Sequence, residues 1–267
     1  GASINKTLAS LLNQPKNSLK ARIFNAATPA HTSLDNLNKY KLLAKQTFDL
    51  VIYYEAINET RANNIPKESF FNDYRHIVWY YDLALIKQHP EVNWTVLPFI
   101  IHKSFNLLID KLAGKKFLQL HTVNPDFVKF GNEIKTVKPY RRNVEQIVLE
   151  AQRRKEKILL MTYALYLPPS VIGNGGYTDY RDFAGCQYPS PLWLWGDPVN
   201  VQTGVNQHNM VIRQLSTQYR TYFFDMDKQM PRKKAFYCDL CHLSESGGNL
   251  FATKLYQYMG QNHLLKK

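Results

Sequence analysis

Apolar residues in this chain fall into short unbroken runs separated by stretches in which they recur at helical spacing. The run 48–58, FDLVIYYEAIN, is continuous and ends in polar residues, as a parallel strand buried on both faces does. The clearest unit is 140–169, where Val144, Ile147, Val148 and Ala151 form a helical stripe, a basic turn follows, and an apolar strand runs from Lys157 to Tyr163. A second unit of the same kind runs from Val205 to Asp225, with Ile212, Leu215 and Tyr219 on its helix and TYFFD as its strand. Residues 21–27, ARIFNAA, read as a further short buried strand. Helices are predicted over 34–44, 70–88 and 96–112 and through Leu250, Phe251, Leu255 and Met259.

Strands alternating with helices predict an α/β domain whose central parallel sheet is covered by helices on both faces. No linker or repeat divides residues 1–267, so a single domain is expected, with a long insertion at about 167–205. Functional groups in such sheets gather beyond the carboxyl ends of the strands. Each predicted strand ends in a polar cluster there: Asn25 to Ser33, Glu55 to Arg61, Thr162 to Pro169 and Asp225 to His242.

Composition changes this picture little. No run approaches the roughly 20 apolar residues that span a bilayer. The net charge of +13, from 34 basic and 21 acidic residues, would suit an anionic partner. The basic residues are scattered among different elements, however, so a solvated surface is the expected reading and no nucleic-acid partner is predicted. Three cysteines make no disulfide framework and leave the redox compartment open. The insertion carries Tyr177, Tyr180, Phe183, Tyr188, Trp193 and Trp195, which fit either a substrate pocket or a self-packed lid. Gly173–Gly176 is too short and isolated for a phosphate loop, and Cys186 reads as a small, partly buried residue.

Cys238-Asp-Leu-Cys241-His242 matches the spacing of a c-type haem attachment site. Placed between the last strand and the last helix, it lacks the small helical domain such a haem requires. A zinc site would need a second ligand pair, and a redox pair would be expected near a first βα turn. No metal or cofactor is therefore predicted. Asp239 and His242 remain, an acid three residues before a histidine.

Taken in order, Gly1-Ala2-Ser3, Asn25-Ala-Ala-Thr-Pro-Ala30, Glu55-Ala-Ile-Asn58-Glu59 and Asp239-Leu-Cys-His242 resemble the four motif blocks of the SGNH/GDSL hydrolases. That family comprises esterases, thioesterases and carbohydrate acetylesterases. The resemblance extends over roughly residues 1–260. It implies a flavodoxin-like three-layer α/β/α sandwich and serine-dependent hydrolysis of a carboxylic ester, with a small-molecule or polysaccharide ester as substrate. Its relatives often work outside the cytoplasm. Ser3 would be the nucleophile, His242 the general base and Asp239 the group orienting it. The Ser3 and Ala30 N–H groups and the Asn58 amide would form the oxyanion hole. His31 and His208 are candidates to touch substrate.

Three positions depart from the family pattern. Ala30 and Ala56 stand where glycine is usual, and Glu59 stands where aspartate is usual. These departures motivate an alternative, a non-catalytic binding module on the same fold. The strand that normally leads into the nucleophile is expected to be missing from this chain, since nothing precedes Gly1.

Overall fold

A computed structural model describes the chain except residues 1, 16, 18–19, 90, 92–93, 120–123, 169–170, 172–182, 187–193 and 265–267. Its described elements are, in order, α1 (Ala2–Leu12), α2 (Ser33–Leu42), β1 (Leu50–Tyr53), α3 (Ile57–Arg61), α4 (Val78–Gln88), α5 (Leu97–Leu112) and α6 (Pro125–Val128). They continue with α7 (Val137–Arg153), β2 (Lys157–Met161), α8 (Pro198–Tyr219), β3 (Tyr222–Phe224), α9 (Met226–Gln229) and α10 (Glu245–Gln261). The three strands form a parallel sheet in the order β1-β2-β3.

Side-chain alternation along β2 sends its residues into two cores. Ile158 and Leu160 pack with Val144, Ile147, Ile212 and Leu215 of α7 and α8. Leu159 and Met161 pack with Leu8 and Leu12 of α1 and with Phe251 and Leu255 of α10. The sheet is therefore covered on both faces, which is why β2 reads as an unbroken apolar run.

Two expected elements differ. Residues 21–27 are not a strand: they are irregular and largely exposed, with Phe24 resting edge-on against Phe48. A short apolar run gains strand structure only from a paired edge, and no described residue pairs with the outer edge of β1. No described residue before Leu50 lies in a strand. The helix expected from residue 70 starts only at Val78. The preceding segment turns through Tyr74, which adopts a left-handed φ of 62°.

Two histidines are locked neutral inside the fold. His208 has no exposed surface; its Nδ1–H donates to the Ala56 carbonyl at 3.2 Å, and its Nε2 accepts from the Thr136 hydroxyl at 3.0 Å. His76 accepts the Phe71 N–H at Nδ1 and donates from Nε2 to the Ala62 carbonyl. Burial pushes His76 down to about 4 and His208 down to about 3.

Below an ordinary histidine pKa of about 6.5 the unfolded chain takes up protons that these rings refuse, so stability drains away as pH falls. Burial raises Glu59 to about 7 and Glu55 well above the carboxylate range, which gives the opposite sign between about pH 7 and 4.5. The two effects offset each other in that window. Below it both carboxyls are protonated in either state, and the histidines, joined by carboxyls held low in the fold such as Asp225 and Asp239, drain stability as pH falls. The unfolding free energy from urea titration is thus expected to stay nearly flat from pH 7 to 5, then fall at first by at least about 3 kcal/mol per pH unit. A steady fall beginning at pH 7 would contradict this assignment.

Candidate active site

The carboxyl end of the sheet gathers three of the sequence clusters. After β3 and α9 the chain makes a tight loop in which Cys238 N–H donates to the His242 carbonyl at 2.7 Å. Inside it, fully buried Asp239 accepts the N–H groups of Cys241 (2.9 Å) and His242 (2.8 Å) on one oxygen. Its other oxygen lies 2.7 Å from His242 Nδ1. Burial alone would raise the Asp239 carboxyl, but the His242 hydrogen bond and the two N–H donors outweigh it and hold the pKa below its ordinary value. The His242 side chain is 56% exposed, so a ring oriented from a dry side presents its other edge to solvent.

α10 begins just beyond, with Ser244 as its N-cap, accepting the Gly247 N–H at 3.1 Å. A Cβ on Gly247 would sit 2.0 Å from the Phe236 carbonyl oxygen, so only glycine lets the helix start this close to the loop.

α1 lies along α10. Thr7 donates to Asn249 at 2.6 Å; Tyr256 donates at 3.0 Å to Asn17, which is held at the end of α1 by its hydrogen bond to the Leu11 carbonyl, so the two helices run parallel. One turn back from Thr7 and from Asn249 brings the first turn of α1 beside the start of α10. Ser3 belongs to that first turn; its side chain lies outside the described residues.

The turn after residue 27 faces the end of β1. Asn58 donates from Nδ2 to the His31 carbonyl at 2.9 Å, which uses one of its two amide hydrogens. Ala30 has φ 62°, whereas Ala56 has an extended φ of −167° that any residue adopts. Of the two unusual alanines only Ala30 carries strain. Ala30→Gly is expected to raise stability by about 1 kcal/mol in urea unfolding; a loss would show that the turn is not strained.

Glu59 fixes this turn from below. It is fully buried, accepts the Ser33 N–H at 2.5 Å and receives the Tyr74 hydroxyl. His31 is half-buried, its Nδ1 has no hydrogen-bond partner among the described residues, and burial lowers its pKa against the opposing charge of Asp35. His208 lies in the core with both nitrogens engaged, not at the cleft.

Trp195 joins these groups. Its Nε1–H donates to Asn58 Oδ1 at 3.4 Å, and its ring lies 5.9 Å from that of His242. Asn64 holds the Trp195 carbonyl at 3.1 Å, and Gly196 next to it has φ 122°. The sequence marks Trp195 only as one aromatic of the insertion, and nothing in it signals this bridge. Beside Asn58 lies a small cleft, about 20 Å³ in volume, lined by Ala30, Arg61, Tyr80, Leu118 and Leu194 among others. Burial lowers the Arg61 guanidinium to about 10.

The cysteines correct the sequence reading. Cys186 and Cys238 form a disulfide, Cα–Cα 5.4 Å, that ties the insertion to the residue before Asp239. Phe183 N–H also donates to the Cys238 carbonyl at 2.8 Å. A cysteine in a disulfide cannot carry a haem thioether. Asp239, Cys241 and His242 bring three donor atoms within 4.8 Å of one another. Burial, with the adjacent Asp239 charge, pushes the Cys241 thiol well up. Tyr177, Tyr180, Tyr188, Trp193 and Gly173–Gly176 lie outside the described residues.

Comparison of the chain with protein-family models, with curated proteins and with solved structures returned no match.

Proposed function

We propose that this chain is an SGNH/GDSL-type serine esterase with a three-layer α/β/α sandwich fold. The observation that carries the reading is the Asp239–His242 pair, buried acid bonded to exposed imidazole, at the end of the sheet where α1 and α10 both begin. Asp239 holds a proton on His242 Nδ1, which leaves Nε2 as the base. Ser3 Oγ attacks the ester carbonyl carbon as His242 takes its proton. The tetrahedral intermediate collapses by breaking the acyl–oxygen bond, and His242 returns that proton to the leaving alcohol. Water then attacks the acyl-serine with His242 again as base, releasing the acid and restoring Ser3. The second Asn58 N–H and the Ala30 N–H are the donors for the oxyanion.

Arg61 and the uncharged amides lining the cleft suit a polar ester, such as an acylated carbohydrate. The disulfide suits an oxidising compartment.

A second reading, a binding module without catalysis, draws on the strained Ala30 and on the Asn58 hydrogen bond to His31. Hydrolysis of short-chain nitrophenyl esters by the protein and by Ser3→Ala separates the two. The esterase reading expects the variant to lose about six orders of magnitude in kcat. Equal rates favour the binding module.

A further inference from the structure

The helix α5 is turned inside out. Leu97, Ile101, Phe105, Leu108 and Leu112 follow one another at intervals of three or four residues and so form one stripe. Each of them is between 54% and 79% exposed. The polar side of the helix faces the protein instead. Lys103 pairs with Asp82 of α4 at 2.8 Å, and Asp110 acts on Tyr81 of α4. Lys103, Asn106 and Asp110 are half-buried, while no residue of α5 is buried. A helix with both a polar and an apolar face could have packed the other way round. Fixing its polar side inward with an ion pair commits the apolar stripe to something outside the chain.

We propose that α5 docks the protein onto an anionic lipid bilayer, lying flat in the interface with its apolar stripe among the acyl chains. Charge argues for this occupant. Residues 94–116 carry four lysines and one aspartate, and that aspartate is on the inward side. Lys111 and Lys116 are exposed at the C-terminal end of the stripe. The whole chain carries +13, so two copies would repel each other, whereas an anionic surface attracts each one.

Length argues that the helix lies on the membrane and does not cross it. Sixteen residues span about 24 Å, less than the roughly 30 Å hydrocarbon core, and no described helix is long and apolar enough to cross. Trp94, 93% exposed just before α5, is an interfacial anchor in the right place. The hairpin of α4 and α5 leaves and rejoins the body at the Ile77–Leu118 bridge, and both of these residues line the cleft. The docking does not depend on the catalytic reading.

Flotation of the full chain with phosphatidylcholine vesicles, with and without roughly a third phosphatidylserine, tests it at physiological salt. The protein is expected to float with the anionic vesicles and much less with the neutral ones. The double variant Phe105→Asp/Leu108→Asp, altered only at exposed positions, is expected to lose at least about tenfold in partitioning while keeping its unfolding temperature. No flotation overturns the proposal. So does flotation that the double variant retains, since that would be charge attraction alone. A wild-type dimer that the double variant breaks, without vesicle binding, would assign the stripe to a second copy instead.

Discussion

Asp239→Asn is expected to lower kcat for ester hydrolysis by about four orders of magnitude and to leave the fold intact. The argument rests on which atoms the substitution changes. The side-chain oxygen that accepts the Cys241 and His242 N–H groups is kept by an asparagine, so the loop holds its shape. The other oxygen, 2.7 Å from His242 Nδ1, becomes an amide nitrogen. That nitrogen donates to Nδ1 and forces the ring proton onto Nε2, the position that has to accept the proton of Ser3. The base is then present, correctly placed and in the wrong tautomer. A structural role for Asp239 would instead predict a lower unfolding temperature with kcat little changed, so kcat and thermal unfolding measured on the same variant decide between the two.

Glu59→Ala is expected to cost about 3 kcal/mol of stability in urea unfolding. Its carboxyl is fully buried and receives the Ser33 N–H at the start of α2 and the hydroxyl of Tyr74. Removing it leaves two buried donors unpaired, each costing about 1–3 kcal/mol. Tyr74 also sits at a left-handed φ, which its hydroxyl bond to Glu59 helps to hold. Glu59→Gln keeps an acceptor for Ser33 and removes the buried charge, so it should be much less damaging at pH 8 than Glu59→Ala. Equal losses for the two variants would mean that volume, not hydrogen bonding, is what Glu59 supplies. The same variants should disturb activity, because Glu59 supports the turn that carries Ala30.

The parts of the fold legible in the sequence are those whose burial is decided locally. The stripe of α7 and the run of β2 are buried by each other and by α8; α7 and β2 lie where periodicity predicts, while α8 starts at Pro198, ahead of the expected Val205 and inside the expected insertion. The three-residue spacing of Asp239 and His242 spans one tight loop, so it brought acid and imidazole together without knowledge of the rest. Residues 21–27 failed because a short apolar run becomes a strand only if a neighbouring edge accepts it, which no local pattern encodes. The Cys186–Cys238 bond closes a separation of 52 residues, and composition alone gave no reason to pair them. Trp195 bridges Asn58 and His242 from an insertion whose path the sequence does not reveal. Periodicity marked 96–112 as a helix, but an amphipathic pattern does not say which face turns inward. The Lys103–Asp82 pair decides that.

The central claim is that Ser3 is a nucleophile activated by His242 and oriented through Asp239. A fluorophosphonate that phosphonylates only activated serines, followed by mass mapping of the adduct, tests it most directly. A single adduct on Ser3, absent from His242→Ala, is the predicted result. An unlabelled chain, or an adduct on another serine that survives in His242→Ala, would contradict it.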